Sequence, residues 1–283
     1  MHRTQAKAVM HIEASASEIW PYLATPAGMN AYLTDEVIVA GSTIQEGDQV
    51  RIIIGDMIND AVCLACEPPR RFCLRDRFRA MLADGSYLEY ELTTTFLLEE
   101  EQWMTKVTAV AESYEEDNVW MQWLRECGEL GWRQSLFNLK HVVELGLDLR
   151  YDIFGYPRLG VCNCTASMEQ VAEQGYNPDT VGGNVLLEVF PDSPAARAGL
   201  CKGDLVLALS GEPVPTYHDF VKALAMSFRK HQAVPITYAR DGRIYHTAVT
   251  LSSDPLLTGL VQPTEERIAA ILNRKADHGQ SDS

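Results

Sequence analysis

Residues 192–214 read DSPAARAGLCKGDLVLALSGEPV. Ser193 offers a side-chain oxygen to free helical amides, and Pro194 behind it has a backbone angle already suited to the first helical position. Gly199 closes that short turn, and Gly203-Asp204 turns the chain into Leu205–Leu209, an apolar run of strand length. Downstream, Tyr217, Phe220, Val221 and Leu224 recur at helical spacing within residues 217–227. Residues 234–239 and 244–251 then flank Asp241-Gly242, a hairpin turn signal. The spacing predicts a small, mostly-β domain with two short helices.

Upstream, the chain changes character at Gly146, which follows a long helical pattern as a C-cap does. Trp120, Trp123, Cys127 and Leu130, then Trp132, Leu136, Leu139 and Val143, predict one helix over residues 119–144. Before it come strand-like runs at 8–14, 50–54, 61–67, 72–81, 86–98 and 103–113, with a helix starting near Glu18 behind Ser15 or Ser17. Leu88, Tyr90, Leu92, Thr94, Phe96 and Leu98 alternate with Glu89, Glu91 and Thr93, the pattern of an antiparallel sheet with one buried face. Domains are therefore expected at 1–147 and 148–253. A tail at 254–283 follows, with a short amphipathic helix near 264–275 carrying Ile268, Ile271 and Leu272, and a disordered end. The fold class is α+β.

The 283 residues carry a formal charge of −15, about −11 of it in residues 1–147. That balance disfavours nucleic acid and anionic membranes as partners. No uncharged apolar run approaches the ~18 residues of a membrane span, and the N-terminus lacks the apolar core of a secretory signal. Seven cysteines without scaffold density predict reduced thiols and a cytoplasmic protein. On regular strands Cys63 and Cys66 point to opposite faces, while Cys162 and Cys164 share one face without two further ligands, so neither a metal nor a cofactor is expected. No nucleophile elbow, zinc-protease helix, P-loop or dinucleotide fingerprint is present.

The 192–214 stretch, with residues 217–224 and the Arg240-Asp241-Gly242 hairpin, resembles PDZ domains of the bacterial HtrA/Deg type. The resemblance implies binding of an extended or C-terminal peptide by addition to a sheet edge. It assigns the carboxylate loop to residues 156–161. Gly160 lets the backbone approach, Arg158 adds charge, Leu159 and Val161 flank them, and the strand continues through Cys162. Tyr217, Val221 and Leu224 would form the pocket for the last side chain. The insertion at 168–182 either covers this groove or extends it.

The order of elements in residues 1–147 is similar to the START-like (SRPBCC) superfamily, in which a curved antiparallel sheet grips a long C-terminal helix. Local likeness is to the branch named for activators of the large heat-shock chaperone ATPase. It is carried by residues 12–20, Gly47-Asp48, residues 67–72 and Gly131-Trp132 with Leu136, Leu139 and Glu144. The resemblance implies an apolar cavity for a lipid-like or aromatic molecule, with Tyr32, Ile54, Phe72, Leu74, Asp76, Tyr90, Leu92, Cys127 and Gly131 as candidate lining. Small residues Cys127, Gly128 and Gly131 either open that space or serve close helix–sheet packing. Alternation aims Asp76 inward, where it would be a polar handle for a ligand or a general base; the alternative is a solvated residue at a bulge.

Function is thus expected to be that of a non-catalytic adaptor. The PDZ groove holds a peptide, and the START-like domain holds a hydrophobic small molecule or a client protein. The alternative is a cyclase- or hydrolase-like enzyme with Asp76 or Tyr90 as acid/base and the PDZ domain as its targeting module.

Overall fold

The computed structural model describes residues 4–54, 57–81, 85–227 and 233–253, so the expected tail helix lies outside the described residues. The chain divides into two compact units, one of Met1–Arg79 with Leu88–Gly155, the other of Ala80–Tyr87 with Tyr156–Ser283.

The first unit runs β1 (Gln5–Ile12), α1 (Ala16–Ala24), α2 (Pro26–Tyr32), β2 (Glu36–Ile38), β3 (Gln49–Ile54), β4 (Met57–Glu67), β5 (Arg71–Met81), β6 (Tyr87–Glu101), β7 (Met104–Glu112), α3 (Val119–Leu145) and α4 (Arg150–Phe154). Its seven strands form one sheet in the order β1-β7-β6-β5-β4-β3-β2. Ser15, rather than Ser17, caps α1, in a reciprocal box with Glu18. Asn118 caps α3, and Gly146 ends it in the left-handed region at φ 68°. This is the helix-grip arrangement: the sheet's inner face and the C-terminal half of α3 share a core that includes Phe72, Phe96, Leu136 and Leu139. Residues 148–154 stay with this unit. Arg150 donates to the carbonyls of Thr34 (2.7 Å) and Asn30 (2.5 Å), and Asn138 accepts from the Leu149 amide.

One expectation fails inside β4. Pairing with β5 slips between Cys63 and Ala65, so a bulge at Leu64 rephases the strand. Cys63 lies in the apolar core and Cys66 packs against the same core, instead of facing away. Burial raises both thiols above their ordinary range, to about 11 for Cys63, which disfavours thiolate chemistry.

The second unit runs β8 (Val161–Thr165), α5 (Met168–Glu173), β9 (Asn184–Val189), α6 (Pro194–Arg197), β10 (Leu205–Leu209), β11 (Glu212–Pro213), α7 (Tyr217–Met226), β12 (Val234–Arg240) and β13 (Arg243–Val249). The sheet order is β13-β12-β10-β9-β8, with β11 pairing β10. Ser193 caps α6 through the Ala196 amide. Asp204, at the turn read from Gly203-Asp204, is buried and takes both Nε (2.6 Å) and Nη2 (2.7 Å) of Arg240. Phe220 and Leu224 of α7 pack with Leu186, Val206, Leu209 and Ile236. The 168–182 insertion places Val171 of α5 against Leu205 and Ala239. Leu205 and Val206 point to opposite faces of β10, so α5 covers the sheet face away from α7 and leaves the expected groove side.

Candidate functional site

Two places in the chain gather polar groups whose needs are not met locally. The first is the loop before β8. Gly160 holds φ +83°, and its carbonyl accepts from the Phe190 amide while that of Leu159 accepts from Ala195. The carbonyls trans to the Leu159 and Gly160 amides are those of Arg158 and Leu159, which accept from Ser252 and Ala195, so the amides of buried Leu159 and Gly160 face the other way. Among the described residues neither has an acceptor. Adjacent buried donors of this kind suit an anion such as a carboxylate. Arg158 stands beside them. Its backbone pairs with Ser252 in both directions (2.5 and 2.9 Å), and its guanidinium lies 3.7 Å over the Tyr156 ring.

β8 leaves this loop as the terminal strand of the sheet and pairs with β9 alone among the described residues. Facing it is α7. Leu159, Val161 and Leu224 share one apolar cluster, Val221 is buried, and Tyr217 is half-buried with its amide donating to Thr165 Oγ1 (2.9 Å). Cys162 and Cys164 are buried. The expected groove residues therefore come together around one strand edge and one helix.

What fixes both walls escaped the sequence reading. Asn163 of β8 donates to Asn184 Oδ1 (2.9 Å), and Asn184 Nδ2 donates to the carbonyls of Val214 (2.8 Å) and Thr216 (3.0 Å). Thr216 is the N-cap of α7. One buried amide side chain thus ties β8, β9 and the start of α7 together. The asparagines were visible in an otherwise apolar stretch, but their pairing across 21 residues was not.

The second place is the inner face of the first unit. The residues expected to line a cavity divide into two groups. Tyr32, Phe72 and Leu74 lie in the apolar core with Ile54 packed against it, and Leu92 is also buried. Asp76, Tyr90 and Cys127 instead lie near one another with Tyr114. Asp76 sits mid-strand and is only 4% exposed, so the solvated alternative does not hold. Burial pushes its carboxyl up to about 7, against a smaller downward effect from the Thr94 hydroxyl. Burial likewise raises the Tyr90 and Tyr114 phenols. Asn59 of β4, also 4% exposed, has an Oδ1 with no hydrogen-bond partner among the described residues. Its inward position follows from alternation with Ala61 and Cys63, a signal that was present in the sequence.

The glycines of α3 separate as well. A Cβ at Gly128 would lie 2.7 Å from the Tyr114 hydroxyl, which is close packing, whereas at Gly131 it would meet nothing within 4 Å. Among the described residues no group of three His, Cys, Asp or Glu is placed to hold a metal ion, and no helix is long and apolar enough to cross a membrane.

The PDZ domain family model matches residues 185–231. A probable periplasmic serine protease do/HhoA-like from Haemophilus influenzae is 27% identical over 81 residues, 29% of this chain and 17% of that protein. The serine endoprotease DegS of Salmonella typhimurium is 30% identical over 84 residues, 30% of this chain and 23% of that protein. The chain thus spans about a fifth of the length of these curated relatives. Among solved structures, the Aha1 dimer from Colwellia psychrerythraea is similar at 20% identity, covering 50% of this chain and 97% of that one with a TM-score of 0.41. CalU16 from Micromonospora echinospora is similar at 17% identity, covering 50% and 74%, with a TM-score of 0.39. The second unit of this chain carries a PDZ domain similar to those of the HtrA/Deg proteins, and the first folds as a seven-stranded sheet gripping one long helix.

Proposed function

We propose that this protein is a non-catalytic binding adaptor whose second unit captures an extended or C-terminal peptide. The peptide adds alongside β8, its carboxylate on the Leu159 and Gly160 amides, its last side chain between Val161 and the Val221–Leu224 face of α7. The observation that carries this is the pair of buried amides without acceptors beside a sheet-edge strand. Fluorescence anisotropy with a library of labelled decapeptides bearing free C-termini tests it. Gly160→Trp forces a side chain into the carboxylate loop at a positive φ and should abolish binding in a folded protein. Unchanged affinity would sink the assignment.

In the same reading the first unit holds a hydrophobic small molecule or a client segment, supported by the open space at Gly131 on the helix face shared with buried Leu124 and Ser135. A second reading, an acid/base enzyme in this unit, is favoured by the Asp76 carboxyl lying near neutrality, with Tyr90 beside it. Turnover of any substrate found for it that survives Asp76→Asn removes Asp76 from that role. A cytoplasmic setting is supported by seven free cysteines. One relative named above is described as periplasmic, which makes cell fractionation the check.

A further inference from the structure

We propose that the inner face of the first unit recognises a primary ammonium group carried on an apolar body, with Asp76 and Asn59 as its acceptors. This rests on the reading that the first unit's interior takes a small molecule.

The observations concern donors and acceptors that do not balance. Asp76 is almost wholly buried, and among the described residues its side chain bonds the Thr94 hydroxyl and pairs with no Lys, Arg or His side chain. Asn59 is equally buried with its Oδ1 unpartnered. The sheet puts the two close together. Ala61 lies directly opposite Asp76 in the β4–β5 ladder, and Asn59 is two residues before Ala61 on the same inward face. Such diagonal neighbours stand ~7–8 Å apart at their Cα atoms, a span one small group can bridge. A buried carboxylate without a cation and a buried acceptor without a donor are each costly. What the pair lacks is donors and positive charge.

Candidate head groups differ in how they meet that need. A hydroxyl offers one donor and no charge, and a carboxylate adds repulsion. A primary ammonium offers three donors and the missing charge. Phe78, the next inward residue of β5, stacks on Tyr90 with ring centroids 5.2 Å apart, which adds aromatic faces beside the same spot. Of the other groups nearby, Tyr114 and Cys127 lie toward Tyr90, and the Arg125 charge bears on Tyr114. Gly131, one turn beyond Cys127 on α3, has no atom within 4 Å of where a Cβ would stand.

Calorimetric titration of the full chain at pH 8 with octylamine, octan-1-ol and octanoate tests this. Octylamine is expected to bind roughly tenfold or more tightly than the alcohol, as a charge-assisted hydrogen bond allows, and octanoate weakest. Asp76→Asn should erase the preference of amine over alcohol, and Asn59→Ala should reduce it several-fold. Near-UV circular dichroism reports folding, and if Asp76→Asn fails to fold, Asn59→Ala carries the test. Alcohol binding as tightly as amine, or a preference that survives Asp76→Asn, overturns the ammonium proposal and leaves the small-molecule reading standing. Failure of all three probes to bind overturns both.

Discussion

A methyl group added at Gly131 meets no atom within 4 Å, whereas one added at Gly128 lands 2.7 Å from the hydroxyl of buried Tyr114. Both glycines lie inside α3, where alanine is intrinsically better by ~1 kcal/mol. Gly131→Ala should therefore stabilise the protein by about that amount, and Gly128→Ala should destabilise it or gain nothing; denaturant unfolding measures both. Equal effects would contradict the packing described for the two sites. Asp76 gives a second residue-scale expectation. Its carboxyl is raised from 3.8 to about 7 in the fold, so the folded state binds the extra proton between those values. Unfolding free energy must then fall as pH rises through that window and level off above it. The drop is on the order of 4 kcal/mol. Asp76→Asn should lose that slope and be the more stable protein at pH 8. A variant with the wild-type pH profile would contradict the burial of an unpaired carboxyl.

Among the elements, the buried Asn184 side chain ties β8 to the start of α7 with three bonds, to Asn163, Val214 and Thr216. Asn184→Ala leaves those partners unsatisfied and should cost about 2–4 kcal/mol, read by chemical denaturation. It should also weaken peptide capture in the protein that remains folded, because both walls of the groove lose their tie. Elements were the scale at which the sequence was most legible. α3 is long enough to show its apolar period over 27 residues, and the alternation of β6 shows on the page. The caps at Ser193 and Gly146 act within a turn of themselves, so local chemistry announces them. The Leu64 bulge was not legible, because it is defined only by register against β5. It overturned the expected facing of Cys63 and Cys66.

For the whole molecule, what sequence could not supply was long-range pairing. Arg150 finds its carbonyls 116 and 120 residues earlier, which keeps residues 148–154 with the first unit in spite of the break at Gly146. The proposed groove residues come individually from the PDZ resemblance. The lack of acceptors for the Leu159 and Gly160 amides appears only when every neighbour is in place. The same holds for the orphaned Asn59 oxygen, whose inward position alternation reveals but whose missing partner it does not. Function at this scale depends most on whether β8 receives a peptide. The direct measurement is an amide NMR titration of the isotope-labelled full chain with a peptide selected from the decapeptide library, in matched free-carboxylate and C-terminally amidated forms. The account predicts that the free-carboxylate form shifts the Leu159, Gly160 and Val161 amides most, with further shifts along β8, and that amidation abolishes them. Shifts centred elsewhere, or equal binding of the amidated peptide, would contradict it.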